Sequence, residues 1–255
     1  MGKIVAIGGG EIGRPRESGK GLYPIETLPI DREIVRLTGK KNPKLLFIPT
    51  ASQDSESYYP VIKKYFSKKL RCRTSVIYLI KQKYSKKALE RKVFSSDIIY
   101  VGGGNTLKML KVWRQTRFDK ILKKAYEKGI VLSGVSAGAV CWFRYAHSDS
   151  RKEKNPEADY IKVNCLDFIN SLCCPHYGAE KNRKKSLKQM MRKTEGVAIA
   201  LENCSAFELI DNGYKILTSK KRANAYRVYW KNGKYYNERI KKIKEPQSLA
   251  ELLRK

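Results

Sequence analysis

Five short apolar runs, separated by longer Lys-rich stretches, constrain the fold of this chain more than any other feature. Four of the five lie close to Gly or Pro, and they occupy residues 3–9, 44–50, 75–80, 97–103 and 129–136. Continuous apolar runs of this length are typical of strands buried on both faces of a parallel sheet. The stretches 57–70 and 105–126 place apolar residues three and four apart, as amphipathic helices do. The alternation predicts an α/β fold: a doubly wound, mostly parallel sheet flanked by helices.

The pattern changes after residue 195. Residues 196–202 resemble one more strand, and Asn-Gly pairs then separate alternating apolar residues at 211–213 and 231–233. Asn-Gly indicates a tight hairpin, because both central residues of the favoured turn adopt positive φ. We therefore expect antiparallel hairpins over about 196–240, attached to the main sheet, and a short closing helix. No linker divides the chain, so residues 1–255 are predicted to form a single domain.

Length and composition allow a sizeable core but no membrane span. The 255 residues include no apolar run near the roughly 18 to 20 residues that cross a bilayer, and the first run is too short for a signal peptide. The six cysteines form no C-x-x-C pair, and the two histidines are not spaced for zinc. We expect a cytoplasmic protein with buried, reduced thiols that needs neither a metal nor an organic cofactor.

The chain is strongly basic, with 54 Lys and Arg residues and a formal net charge of +30. This charge is spread over predicted helices and the tail rather than gathered in one stripe, and no nucleic-acid motif accompanies it. A generally Lys-rich surface is the simplest interpretation, and steering of an anionic substrate is the second. Nucleic-acid binding is a weaker interpretation that the charge leaves open.

Residues 134–138, Gly-Val-Ser-Ala-Gly, match the G-x-S-x-G pattern of a nucleophile on a sharp strand-to-helix turn. The fifth apolar run ends at Ser136, and the following residues 137–147 have helical character. We interpret Gly134 and Gly138 as clearance around the hydroxyl. The N-terminus of the helix would present free N–H groups to developing negative charge. The alternative is an ordinary turn in the core.

A serine nucleophile usually needs a base, and His147 and His176 are the two histidines of the chain. His176 follows an apolar run that resembles a strand, so a loop at a strand end would carry it. His147 lies eleven residues after Ser136, toward the end of the predicted helix, and ten helical residues rise about 15 Å. We therefore predict His176 as the base.

A third group should orient the imidazole, and in hydrolases with this turn an acid lies between Ser and His along the chain. The acidic residues in that interval include Asp149, Glu153, Glu157, Asp159 and Asp167. Asp149 is the prediction, with an ordinary turn or capping residue as its alternative. A Ser–His dyad without a carboxylate stays open.

An oxyanion hole needs N–H groups aimed at one point. The N–H of Ala137, directly after Ser136, is one candidate. The Gly-rich turn 101–106 would supply the other, from Gly104 first and Gly103 second. In a parallel sheet this turn and the serine turn both lie at carboxyl ends of strands, where sites form. The Gly-rich turn is neither G-x-G-x-x-G nor a Walker sequence, so nucleotide binding has little support.

Four segments, in this order and spacing, resemble peptidase E. They are FIPTAS at 47–52, YVGGGNT at 100–106, GVSAGA at 134–139 and CPHYG at 174–178. This family of aspartyl dipeptidases and cyanophycinases consists of serine peptidases whose fold is related to class I glutamine amidotransferases. The resemblance extends from the first strand to residues 226–236. It implies Ser136 as nucleophile, His176 as base, and Gly104 and Ala137 as oxyanion donors.

The resemblance does not supply the acid, because dipeptidase members place an Asp two residues beyond Asp149, where this chain has Arg151. Members that prefer N-terminal Asp need a cation near the site. Arg183 is a candidate for binding that substrate carboxylate, with a solvated helix residue as its alternative. Amidotransferases carry Cys at the turn, whereas Cys141 lies a helical turn beyond the serine here, so glutamine amidotransfer is not expected.

The sequence thus predicts a serine peptidase that hydrolyses small peptides, including dipeptides with N-terminal Asp, through a Ser-His(-Asp) mechanism. A non-peptidase serine amidase or esterase on the same fold is one alternative. A catalytically degenerate, basic binding protein is the other. A homodimer is compatible with the sequence, and no membrane partner is expected.

Overall fold

The computed structural model describes residues 2–180 and 182–255, which form two β-sheets and the helices around them. The strands are β1 (Lys3–Ile7), β2 (Lys44–Ile48), β3 (Arg73–Val76), β4 (Ile98–Val101), β5 (Val131–Val135), β6 (Phe143–Ser148), β7 (Ile161–Asn164), β8 (Ile169–Cys174), β9 (Ala198–Leu201), β10 (Ser205–Ile210), β11 (Gly213–Thr218), β12 (Ala225–Lys231), β13 (Lys234–Arg239) and β14 (Gln247–Ser248). The helices are α1 (Leu28–Arg36), α2 (Tyr58–Leu70), α3 (Lys86–Phe94), α4 (Thr106–Gln115), α5 (Phe118–Glu127), α6 (Ala137–Val140), α7 (Arg183–Arg192) and α8 (Leu249–Leu252).

The first sheet has the strand order β14-β11-β10-β1-β5-β4-β2-β3. The five strands from β1 to β3 in this order are parallel, and β10, β11 and β14 extend the sheet antiparallel beyond β1. Ile4 and Ala6 of β1 face one core cluster, whereas Val5 and Ile7 face another. Burial on both faces explains why these strands are continuous apolar runs.

Helices cover both faces of this sheet. On one face α1 and α2 pack through residues such as Ile34 and Phe66. On the other face α3, α4 and α5 pack through residues such as Leu89, Trp113 and Leu122. The predicted α/β architecture, with a mostly parallel sheet between helical layers, is therefore present.

The second sheet, in the order β13-β12-β9-β8-β6-β7, was not predicted as a separate sheet. Its residues Cys173 and Ile199 belong to the same core cluster as Ile4 of the first sheet. Its opposite face packs against α7 through Leu187 and Met191. Strands β6, β8 and β9 are mutually parallel, so their carboxyl ends meet at one edge.

Several predicted elements differ in the structure. The run 105–126 is two helices, because Arg117 adopts a left-handed conformation (φ 59°) between α4 and α5. Residues 137–147 are not one helix, since α6 ends at Val140 and β6 follows. The β10–β11 hairpin joins the first sheet as predicted, but the β12–β13 hairpin joins the second sheet. The closing helix is reduced to α8 after a short β14. No described helix has the length and apolar character needed to span a bilayer.

Candidate active site

Ser136 occupies a sharp turn between β5 and α6. Its backbone has φ 55° and ψ −113°, a conformation that residues with a side chain rarely adopt. The Ser136 N–H donates to the Ile7 carbonyl oxygen at 3.0 Å, which fixes the turn against the end of β1. The side chain is half-buried. The turn therefore displays one hydroxyl at the carboxyl edge of the parallel strands.

The glycines beside Ser136 have a different role from the predicted clearance around the hydroxyl. A β-carbon on Gly138 would lie 2.1 Å from the Val101 carbonyl oxygen, and one on Gly134 would lie 2.5 Å from the Gly138 oxygen. Real β-carbons do not approach backbone oxygens so closely. Both glycines thus let the turn pack directly on the end of β4.

His176 follows β8 and contacts the serine. Its Nε2 lies 2.6 Å from the Ser136 Oγ, within the range of a hydroxyl donating to an imidazole nitrogen. The backbone φ of His176 is 139°, another rarely populated conformation. The structure therefore brings together the two side chains that the sequence predicted as nucleophile and base, although they come from different sheets.

The third partner of this arrangement is Asn203, which sequence analysis missed. The His176 Nδ1 lies 2.9 Å from the Asn203 Oδ1, so an Nδ1–H would donate to this amide oxygen and leave Nε2 free to accept from Ser136. A β-carbon on Gly9 would lie 2.2 Å from the Asn203 Oδ1 and 2.5 Å from the His176 Nδ1. Glycine at position 9 therefore makes room for the pair.

Asp149, the predicted acid, does not contact the imidazole. Its Oδ2 accepts from the Arg183 Nη2 at 3.0 Å, and the Nδ1 side of His176 is taken by Asn203. The remaining capacity for a carboxylate at Nδ1 is thus filled by an amide, which carries no charge. In this structure Asn203 stands where an acid was predicted, and the three side chains form a Ser–His–Asn arrangement.

Arg183, the predicted substrate cation, is buried at the start of α7, with 1% of its side chain exposed. Its guanidinium pairs with Asp149 at 3.0 Å and with Glu180 at 2.8 Å. These ion pairs occupy the cation inside the protein, so the structure does not present it to a ligand. The alternative, a solvated helix residue, is wrong because the side chain is buried.

The imidazole of His176 is held in its neutral form. Burial lowers its pKa below the ordinary value of 6.5, and the positive charge of Arg183 lowers it further, whereas the bond to Asn203 raises it. Neutral imidazole is the form that accepts a proton from a hydroxyl. The electrostatics therefore suit a base that works near neutral pH.

Among the predicted oxyanion donors, the backbone amides of Gly104 and Ala137 have no acceptor among the described residues. The Gly103 N–H instead donates to the Tyr58 hydroxyl at 3.4 Å. A β-carbon on Gly103 would lie 3.5 Å from the Ser136 β-carbon, so the Gly-rich turn lies directly against the serine turn. Of the predicted oxyanion donors, Gly104 and Ala137 are the ones left unpaired.

Gly104 is required where it stands. Its φ is 138°, and a β-carbon there would lie 2.2 Å from the Ala51 carbonyl oxygen. The same carbonyl accepts from the Asn105 N–H at 2.8 Å. Close packing on residues after β2 thus fixes the turn that carries the free amide.

His147 lies away from the serine, but not for the predicted reason. It is on strand β6 rather than at the end of a helix, with its Nε2 3.0 Å from the Ser186 Oγ and its ring stacked on Tyr160. Burial, together with the nearby charge of Arg183, lowers the pKa of His147 to about 3. It is a neutral structural histidine.

The described residues contain no group of three or more His, Cys, Asp or Glu side chains placed to hold a metal ion. Cys141 is buried beneath the turn, and its Sγ contacts the Gly138 carbonyl oxygen at 3.4 Å. Burial raises the pKa of the Cys141 thiol well above its ordinary value. It is not placed as a nucleophile.

Comparison with known proteins gives consistent matches. The profile of Peptidase family S51 matches residues 19–217. The uncharacterized peptidase YgaJ of Bacillus subtilis (strain 168) is 33% identical over 232 residues, which cover 89% of this chain and 92% of that protein. The uncharacterized peptidase Lin0382 of Listeria innocua is 36% identical over 86 residues, which cover 32% of this chain and 40% of that protein.

Two solved structures share the fold. The crystal structure of a peptidase from an acI-B1 actinobacterium matches 97% of both chains with a TM-score of 0.72 and 16% identity. A peptidase E protein from Listeria monocytogenes EGD-e matches 86% of this chain and 98% of that one, with a TM-score of 0.62 and 18% identity. These matches confirm the predicted α/β fold class.

Proposed function

Since the chain belongs to peptidase family S51, which confirms the resemblance to peptidase E, we propose that it hydrolyses small peptides with Ser136 as nucleophile and His176 as base. The observation that supports this most directly is the 2.6 Å contact between the Ser136 Oγ and the His176 Nε2. A base within hydrogen-bond reach of a hydroxyl on a strained turn is what nucleophilic catalysis by serine requires.

In the first proposed step, Ser136 attacks the carbonyl carbon of a peptide bond while the His176 Nε2 takes its proton. Asn203 accepts from the Nδ1–H and holds the ring in the tautomer that leaves Nε2 basic. The negative charge that develops on the carbonyl oxygen is stabilised by the amides of Gly104 and Ala137. The protonated His176 then donates to the leaving amine, and an ester on Ser136 remains.

In the second step, water attacks the ester carbonyl, and His176 takes a proton from that water. Collapse of the tetrahedral intermediate returns the proton to the Ser136 oxygen and releases the acid product. Because Asn203 is neutral, it stabilises the transient imidazolium less than a carboxylate would. The proposed steps use side chains, backbone amides and water.

For the substrate, we propose small peptides, with dipeptides that begin with Asp as the first class to test. The preference for Asp rests on the resemblance to peptidase E, because Arg183 is buried and already paired. The net charge of +30 favours anionic substrates in a general way by steering them to the surface. We expect the reaction to take place in the cytoplasm, and a homodimer remains a prediction.

Activity on a panel of substrates tests the proposal. The panel compares Asp-Leu and Ala-Leu dipeptides, their N-acetylated forms, and a simple p-nitrophenyl ester. We expect hydrolysis of the free dipeptides, and a loss of about a thousandfold or more in kcat for Ser136→Ala and for His176→Ala. Ser57→Ala, an exposed serine before α2, is the matched control and should stay within about twofold.

Other outcomes separate the alternatives. Hydrolysis of the ester without hydrolysis of any peptide would favour an amidase or esterase. A folded protein without hydrolysis or fluorophosphonate labelling, but with salt-sensitive binding of nucleic acid, would favour a basic binding protein. Peptide hydrolysis that persists in Ser136→Ala would refute the assignment of the nucleophile.

A further inference from the structure

A charge cluster centred on the buried Arg183 lies near the base, and its two carboxylates are partly exposed. The guanidinium of Arg183 donates from Nε and Nη2 to the Glu180 carboxylate at 3.0 and 2.8 Å and from Nη2 to Asp149 at 3.0 Å. Its carbon lies 4.7 Å from the centre of the Tyr160 ring, and the Tyr160 hydroxyl donates to Glu180 at 2.9 Å. The cation is thus paired on its edge and covered on its face.

The partners of Arg183 come from two different loops around the site. Glu180 lies four residues after His176, in the loop that connects β8 to α7. Asp149 directly follows β6, in the loop that leads to β7. The guanidinium therefore joins the β8–α7 loop, which carries the base, to the β6–β7 loop.

The second loop reaches the Gly-rich turn. Ser150, next to Asp149, accepts from the Asn105 side-chain amide at its carbonyl oxygen (2.9 Å) and from the Leu107 N–H at its Oγ (3.1 Å). Asn105 directly follows Gly104, whose amide is unpaired. Hydrogen bonds between residues that neighbour one another along the chain therefore link the buried guanidinium, through Asp149 and Ser150, to the turn that carries the proposed oxyanion donor.

We propose that Arg183 is a positioning residue, which holds the His176 loop and the Gly104 turn in a fixed relation through its simultaneous contacts to Glu180 and Asp149. This inference rests on the proposed function, because it assigns the role of base to His176 and that of oxyanion donor to Gly104. It replaces the predicted role of Arg183 as a partner of the substrate carboxylate.

The geometry explains why arginine suits this place. A planar guanidinium offers several N–H donors in one plane, so it can bind two carboxylates while its face stacks on an aromatic ring, which an ammonium cannot do. Because only 1% of the side chain is exposed, an unpaired charge there would be costly. Burial therefore favours the state in which the guanidinium keeps both carboxylates. Loss of either carboxylate would therefore loosen one loop relative to the other.

The charge of the cluster acts on the base as well. Three charged groups influence His176: Arg183, which lowers its pKa, and Glu180 and Asp149, which raise it. Removing the cation leaves two carboxylates uncompensated, so the pKa of His176 should rise. Removing the charge of Asp149 alone should lower it. The two changes have opposite signs, whereas a general loosening of the fold would expose the ring in both variants.

The first experiment follows the imidazoles by NMR and needs no substrate. The chain has two histidines, so His147→Gln assigns the remaining signal to His176. We expect the pKa of His176 to rise by roughly 0.5 to 1 unit in Arg183→Met and to fall in Asp149→Asn. Arg183→Lys keeps the charge and should stay near the wild-type value. Equal pKa values in the wild type and in folded Arg183→Met would overturn the inference.

The second experiment measures kcat and KM on the best dipeptide from the panel. We expect kcat to fall about tenfold or more in Arg183→Met and in Arg183→Lys, with little change in KM, because both lose the double contact. Arg91→Met, an exposed residue on α3, is the control. A rise in KM confined to acidic substrates, with kcat unchanged, would overturn the inference and restore the role in substrate binding. An inactive wild type would refute the proposed function, and the NMR titration would still decide the effect on His176.

Discussion

Asn203 is the residue at which the proposed mechanism can be tested most sharply. Its amide oxygen accepts from the Nδ1–H of His176 at 2.9 Å, the place that an Asp carboxylate holds in a Ser-His-Asp triad. Asn203→Asp changes this neutral acceptor into an anion with almost no change in shape. Asn203→Ala removes the acceptor altogether. Together the two variants separate orientation of the ring from stabilisation of its charge.

The magnitudes follow from the single contact. A neutral hydrogen bond contributes about 0.5 to 1.5 kcal/mol, so Asn203→Ala should lower kcat/KM by roughly two- to twelvefold through loss of orientation. A carboxylate next to an imidazole raises its pKa by about 1 to 3 units, and each unit corresponds to about 1.4 kcal/mol. In Asn203→Asp the acid limb of the pH profile should therefore move to higher pH by a similar amount. Above that limb the more basic ring should make kcat/KM equal to or greater than that of the wild type.

The assay is kcat/KM on one dipeptide from pH 5 to pH 10, since the limbs of this profile report the free enzyme. Asn237→Asp, an exposed residue on β13, makes the same change in net charge far from the contact and should leave the acid limb in place. If the limb of Asn203→Asp does not move, or if Asn203→Ala stays within twofold of the wild type, then Asn203 does not orient His176 and a Ser–His dyad is the correct description.

Three further predictions concern stability and reactivity. Gly138→Ala forces a β-carbon to within 2.1 Å of the Val101 carbonyl oxygen, so urea unfolding should show a loss of about 2 to 4 kcal/mol, whereas Gly178→Ala, with 3.4 Å to its nearest neighbour, should lose little. The pKa of His147 is lowered from 6.5 to about 3, so its contribution to the unfolding free energy is complete above pH 6.5 and declines by about 1.4 kcal/mol per pH unit down to pH 3. The difference between the wild type and His147→Gln from pH 7.5 to pH 4.5 measures that decline, and parallel curves would contradict it. Because five of the six thiols are buried and Cys165 is half-buried, a thiol-reactive disulfide should label those five thiols at least about a hundredfold more slowly in the native chain than in urea.

Local pattern was sufficient to predict four of the five parallel strands of the first sheet. The run predicted at 75–80 overlaps β3 (Arg73–Val76) only at Ser75 and Val76. Strands β1, β2, β4 and β5 are buried on both faces, so nearly every residue in them is apolar. A strand buried on one face would instead alternate apolar and polar residues. The serine turn and the Gly-rich turn each follow such a run, so their meeting at one edge could be inferred from the parallel arrangement. The Asn-Gly pairs were equally local signals for hairpins. At Asn232 and Gly233 both residues have the expected positive φ, whereas in the β10–β11 turn the positive φ is at Asp211 (52°) and not at Asn212 or Gly213.

The second sheet was harder to predict, because its strands carry mixed patterns. Residues 143–148 of β6 are mostly buried but mix apolar and polar side chains without a regular period, and Gly-Ala-Val at 138–140 resembles a helix start. Nothing local shows that the helix after Ser136 stops at Val140, since the cause is tertiary: β6 leaves to pair with β7 and β8. The argument against His147 therefore relied on a helix that the structure does not contain, although the structure places His176 and not His147 beside Ser136.

Asn203 was missed for a chemical reason rather than a structural one. The search for a third partner was limited to acids between Ser136 and His176, and an uncharged amide after the histidine lay outside it. The signal that could have found it is the same rule that found His176: a polar residue two positions after a short apolar run, here β9, which pairs in parallel with β8. Neighbouring parallel strands bring their carboxyl ends together, so residues just after β8 and β9 must be close. The charge that Asp149 would have supplied at the imidazole is used instead on Arg183, and a single side chain cannot satisfy both. Burial is the main cause that lowers the pKa of His176, and an amide at Nδ1 adds no negative charge that would raise it as a carboxylate would, which suits the neutral base that the proposed mechanism needs.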